Sequence, residues 1–145
     1  MNHLPRPLLA MLLVLFTATR FAFAEPEANL ALHIAGLEEV SGNVFIAVYD
    51  SEDSWLSEDT VLEKQVVIVD SLQDGLVQTA FHLPPGQYAM TVFYDRDDDG
   101  KLDTNFIGMP KEPIALSNNA KAKFGPPKFE DAAFEVGDVL LVQAI

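Results

Sequence analysis

From Asn29 onward, apolar and polar side chains alternate with a period of two, the spacing of half-buried strands. Leu30, Leu32 and Ile34 fall on one face, Ala31, His33 and Ala35 on the other, and Gly36 ends the run. After a Ser41-Gly42-Asn43 turn, Val44 to Tyr49 is apolar on both faces, which predicts a central strand. Ser51 to Thr60 is acid-rich around Trp55-Leu56 and reads as a loop or one helical turn whose Trp-Leu pair tucks onto the sheet edge. A third strand is predicted over Gln65 to Val69, a Gln73-Asp74-Gly75 turn, and a fourth strand over Leu76 to Leu83 with Val77, Thr79 and Phe81 on one face. Pro84-Pro85-Gly86 suits a type II turn, since proline pre-sets φ and glycine supplies the positive φ. Gln87 to Tyr94 follows as the fifth strand. The period is then lost from Phe106 to Lys128, a stretch full of Gly, Pro, Ser and Asn. Its apolar residues (Phe106, Ile107, Met109, Ile114, Leu116, Phe124) predict that it packs down as a long ordered loop. Phe129 to Val136 and Asp138 to Ala144 are predicted to close the chain as a hairpin about Gly137. The fold class is all-β, a single antiparallel β-sandwich of about seven strands.

The first residues do not fit this pattern. Arg6, the apolar run Leu8 to Phe16 and the small-x-small triplet Ala22-Phe23-Ala24 spell a signal peptide over 1–24, leaving a domain over 25–145. The run is far shorter than the roughly 20 residues of a spanning helix; the alternative is an uncleaved membrane anchor. The whole chain carries a net charge of −13. Loss of the leader removes two arginines and no acid, so seven bases face 22 acids and the charge becomes −15. That balance repels nucleic acid and anionic lipid. The chain has no cysteine, hence neither disulfides nor a lipid-attachment thiol, and a periplasmic or secreted domain is expected.

The candidate chemistry lies where the fifth strand ends, in Asp95-Arg96-Asp97-Asp98-Asp99-Gly100-Lys101-Leu102-Asp103. Carboxylates at every second residue, followed by a turn glycine, suit a loop that curls around one hard cation. Against a twelve-residue calcium loop, Asp95, Asp97 and Asp99 take positions one, three and five, and Gly100 takes six. Lys101 would give its carbonyl at seven, and Asp103 stands at nine. Position twelve, ordinarily a bidentate glutamate, is Phe106; Asn105, Glu112 or Asp131 could stand in for it. Calcium is therefore the expected cofactor, bound in the weak extracellular range, and magnesium fits less well because it demands a strict octahedron. The strand before the loop and Pro110 and Pro113 after it argue against a helix–loop–helix arrangement.

Other chemistry is sparse. His33 and His82 read as surface residues without zinc-ligand spacing, and Ser117 lacks a glycine-flanked nucleophile signature. The pair Glu130-Asp131 is of a kind any acidic chain offers. Trp55, Tyr88 and Tyr94 could stack on sugars, although aromatics in a sandwich are more often core.

Several motifs of the second half have a combined likeness: Leu83-Pro84-Pro85-Gly86-Gln87-Tyr88-Ala89, then Asp95 to Asn105, Gly108-Met109-Pro110-Lys111-Glu112, Ser117-Asn118-Asn119, and Gly125 to Ala132. Through them the chain resembles the DUF2141 family of exported bacterial proteins, from about Leu30 to its end. It departs from that pattern after Glu112, at Pro113-Ile114-Ala115-Leu116, and carries Asp97 and Asp99 where the family tends to have asparagine. The resemblance implies an immunoglobulin-like or transthyretin-like sandwich and an exported location, and no activity; fold alone does not set function. The preferred reading is a non-enzymatic domain whose calcium loop orders the 95–128 region as a surface for a protein or glycan ligand of the cell envelope. The alternative is a hydrolase of envelope polysaccharide using carboxylates of the 103–131 region.

Overall fold

The structure, a computed structural model, describes residues 27–37, 41–122 and 125–145. The expected signal peptide and Phe124 lie outside the described residues. The described strands are β1 (Leu30–Ile34), β2 (Asn43–Tyr49), β3 (Leu62–Val67), β4 (Leu72–Gln73), β5 (Leu76–Phe81), β6 (Gly86–Asp95), β7 (Ile114–Leu116), β8 (Phe134–Val136) and β9 (Leu141–Ala144). Two single helical turns, α1 (Ile68–Ser71) and α2 (Phe129–Ala132), and a 3-10 turn over Ser117–Asn119 complete them.

These strands form two sheets. One runs β4-β5-β1-β9; the other runs β3-β2-β6, with the far edge of β6 shared by β7 and β8. The alternation read from the sequence builds the core between them. Leu30, Leu32 and Ile34 of β1 and Val77 and Phe81 of β5 face Val44, Ile46 and Val48 of β2 and Tyr88, Met90, Val92 and Tyr94 of β6. The result is an all-β sandwich. Asn29 pins one end of it: its side-chain amide donates to the carbonyls of Leu83 (2.8 Å) and Gly137 (2.9 Å), and its oxygen accepts from Leu83 N–H (2.9 Å). Of the pair expected to tuck in, Trp55 does so, edge-on to Tyr49 and Phe129 with its indole N–H donating to Pro127 O at 2.8 Å, whereas Leu56 is exposed.

The structure departs from the sequence expectations at the chain's end. Phe129 to Ala144 is no hairpin. Residues 129–132 make a helical turn, β8 pairs with β6 in one sheet, and β9 pairs with β1 in the other. Because the chain crosses from sheet to sheet around Gly137, β9 arrives running parallel to β1, unlike the other strand pairs described. Strand β3 likewise starts earlier than expected and gives way to α1 at Ile68, whose side chain is fully buried.

The described residues of the aperiodic 106–128 stretch are held in place, though not by burial of the apolar side chains at its start. Phe106, Ile107 and Met109 are 98%, 69% and 58% exposed. Polar side chains hold the backbone instead. The buried Ser117 hydroxyl donates to Ala132 O at 2.6 Å and accepts from Met90 N–H at 2.9 Å, in the stretch of β6 between its pairings with β8 and β7. Asn118 donates to Ala133 O at 2.6 Å. Backbone groups buried without partners cost more than a hydrogen bond gains, so these side chains act where no continuous ladder can form.

Candidate metal centre

Strand β6 ends by turning Asp95 inward. Its side chain is fully buried, and its carboxylate collects the amides of the loop it begins. Oδ1 accepts from Asp98 N–H (2.7 Å) and Asp99 N–H (3.3 Å), and Oδ2 accepts from Gly100 N–H (2.9 Å). The backbone coils tightly enough for this because Asp98 (φ +61°) and Gly100 (φ +78°) take left-handed conformations; short Asp side chains and glycine tolerate that region best. Asp99 repeats the motif by accepting from Lys101 N–H at 2.8 Å. From the adjoining strand, the Asn43 side-chain amide donates to the Asp98 carboxylate. Gly42 packs beneath: a Cβ there would stand 2.7 Å from the Asp95 carbonyl oxygen, at a φ of +75°. No other residue fits without displacing the loop.

The neck of the loop is closed by a residue further along. Glu112 is buried, and its two oxygens accept from Arg96 N–H (2.9 Å) and Asp103 N–H (3.1 Å), one on each limb. Beyond the neck, residues 103–111 form a small hairpin. Lys111 N–H donates to Asp103 O (2.8 Å), Thr104 bridges to Pro110, and the Asn105 side chain accepts from Ile107 and Met109 N–H, both at 3.0 Å.

Of the five residues predicted to bind the cation, three converge. Asp95, Asp97 and Asp99 each offer a carboxylate oxygen within 4.8 Å of the others, with Asp95 buried and the other two exposed. Asp103 lies outside that group; its side chain is 3.9 Å from Lys111 Nζ. Lys101 is exposed and contributes its amide to Asp99. The stand-ins considered for position twelve have other partners. Asn105 and Glu112 hold backbone amides as described, and Asp131 accepts from Lys128 N–H (3.3 Å) at the start of α2. The sequence offered Glu112 as a substitute ligand and Gly42 as a turn residue, and their roles as the clamp of the neck and the floor beneath the loop were not foreseen. A lone glutamate among prolines and a turn glycine carry no signal of which amides or carbonyls they will meet.

The donor set suits a hard dication. Three carboxylates lie close together, backbone amides donate to those of Asp95 and Asp99, and Asp95 Oδ2 has one amide partner and room for another. Asp97 registers the crowding. Partial desolvation, then the negative charges of Asp99, Asp103 and Asp95, raise its carboxyl above the ordinary value despite its exposure. Ionised Asp97 is thus disfavoured in the folded chain. That penalty is present at neutral pH, is relieved as pH falls through the raised folded pKa, and vanishes below the unfolded value. Asp97→Asn is expected to raise the melting temperature of the cation-free chain at neutral pH and to lose the gain near about pH 3. A neutral-pH melt no higher than the parent's would show that repulsion at Asp97 is negligible.

The carboxylates of the hydrolase alternative are dispersed. Glu130 and Asp131 line a cavity of about 450 Å³ with Lys121 and Lys128, and neither Asp103 nor Glu112 contributes to it. No helix among the described residues is long and apolar enough to cross a membrane.

Fold and loop together define a two-sheet β-sandwich domain with an acidic loop, clustering Asp95, Asp97 and Asp99, at the end of a central strand. The chain belongs to the DUF2141 family, described as an uncharacterized protein conserved in bacteria, whose family model matches residues 32–141. No curated protein and no solved structure matches it.

Proposed function

We propose that this is an exported, non-enzymatic binding domain, released by cleavage near Ala24, whose Asp loop takes up calcium and thereby stiffens a surface for a protein or glycan ligand of the cell envelope. The observation that carries the reading is the approach of the Asp95, Asp97 and Asp99 carboxylates to within 4.8 Å of one another. Asp95, Asp97 and Asp99 are the side-chain ligands, with the Lys101 carbonyl, Asp103 and water completing a shell of six to eight oxygens. Since Glu112 and Ser117 already hold the 112–120 backbone, the cation's influence is concentrated on residues 96–111. The non-enzymatic reading is supported by the engagement of Glu112 with two amides and of Asp131 with its local turn.

Calcium that binds only the folded chain stabilises it by about 1.4 kcal/mol at ten times its dissociation constant. For a domain of this size the melting temperature should rise by about 4–5 °C, fall back with chelator, and stay flat when Asp97 and Asp99 are both changed to Asn. An unchanged melt in millimolar calcium would remove the proposal.

A further inference from the structure

A groove of about 550 Å³ crosses the outer face of the β3-β2-β6 sheet, on the side away from the core. Ala47 and Phe93 floor it, and Leu56, Leu102 and Ile114 supply apolar walls, with Glu63 and Lys101 among its polar margins. Phe93 is held upright by parallel stacking on Phe45, at 5.0 Å between ring centroids. Leu102 and Ile114 are also the residues between which the 103–111 hairpin departs and returns. The hairpin is therefore a finger rising from the groove's own rim. Its tip presents Phe106, Ile107 and Met109, at 98%, 69% and 58% exposure, on a backbone made rigid by Asn105. A preordered turn with three large apolar side chains in water is an anchor without its socket, and apolar surface of this kind marks an interaction site.

We infer that the socket is the groove of a second copy, and that two copies exchange fingers about a two-fold axis beside the rim. Area decides between this and a one-way contact. A finger of three large side chains covers roughly 400 Å², so one finger in one groove removes roughly 800 Å² counting both surfaces, the scale of a weak or crystal contact. Reciprocal exchange doubles that to roughly 1,600 Å², the size of a stable, specific interface. Because the finger is rooted beside its own groove, a single two-fold operation places both tips at once, as isologous dimers require. Charge is mixed locally: Lys111 at the finger's root lies 3.9 Å from Asp103 of its own hairpin, and the groove carries Lys101 beside Glu58 and Glu63. It opposes globally, since both partners are strongly acidic, so association should strengthen as salt screens the repulsion. The contact needs no cation.

Sedimentation velocity of the purified chain in chelator, in about 0.5 M salt to screen charge, should show a monomer–dimer equilibrium that weakens at low salt. Phe106→Ser with Ile107→Ser should weaken dimerisation by roughly 30-fold or more, the weight of a buried anchor, and leave the melting temperature of the monomer unchanged, because these side chains touch little of their own fold. Filling the groove with Ala47→Trp should have the same effect on association. The chain lacks cysteine, so Phe106→Cys carrying a thiol-linked photocrosslinker can report the tip's position; capture on groove residues within a dimer band is the expected result. A chain that stays monomeric at the highest concentration overturns the inference and leaves the groove to an unrelated ligand. A dimer that survives the tip substitutions, or an assembly that keeps growing with concentration, overturns it as well.

Discussion

Asp95→Ala, measured in chelator, is expected to destabilise the fold by about 3 kcal/mol and to lower its melting temperature by about 10–15 °C. The side chain is fully buried and accepts three amide hydrogen bonds as a carboxylate. Bonds to a charged acceptor contribute about 1.5–3 kcal/mol each, yet the three will not add. Their donors belong to exposed residues, so water replaces part of what is lost. What water cannot restore is the coil that holds Asp98 and Gly100 at positive φ. Hydrogen exchange at Asp98, Asp99 and Gly100 should accelerate first. Asp95→Asn keeps one acceptor but turns an NH2 group toward an amide, and should lose about half as much. Asp95 thus has two separable duties. Its structural one persists without metal, whereas Asp97 and Asp99 accept few amides, so without a cation their removal should not destabilise the fold. A melt of Asp95→Ala within 2 °C of the parent, in chelator, would contradict this division.

Glu112→Ala should be the second most damaging change, at about 2–3 kcal/mol. One buried carboxylate spans Arg96 on the outgoing limb and Asp103 on the returning limb, 16 and nine residues away in sequence. Alanine removes the acceptor that the two amides share across the limbs. The consequence should be local before it is global. Exchange at Arg96 and Asp103 should speed by one to two orders of magnitude, as expected for a unit that opens below the global free energy. The core amides of β2 and β6 should keep their protection, because their ladder does not involve Glu112. Glu112→Gln retains one acceptor oxygen and should fall midway. Calcium that stiffens the same segment should partly restore protection at Arg96 and Asp103 in Glu112→Ala, as read by hydrogen exchange with and without chelator.

Much of the fold was written in the order of the residues. A period of two needs only neighbours along the chain to declare itself, and Leu30, Leu32 and Ile34, or Val77 and Phe81, went where their alternation put them. The spacing of Asp95, Asp97 and Asp99 was legible for the same reason: a tight loop is a local object, and its turn glycine follows within it. Tertiary structure decided the rest, through partners that lie far away in sequence. Only the folded chain could assign Glu112 to two amides, Ser117 to the stretch of β6 between two short partner strands, and Gly42 to a carbonyl 2.7 Å from its absent Cβ. Only it could send β8 and β9 to different sheets, because their pattern as strands is the same whichever neighbour they meet. Apolar composition misled at Phe106, Ile107 and Met109, where hydrophobicity states a preference for burial and the surrounding chain supplies no place for it. Short-range periodicity therefore specified strands and a loop, while hydrogen-bond satisfaction between distant segments determined how they were joined and what was left facing outward.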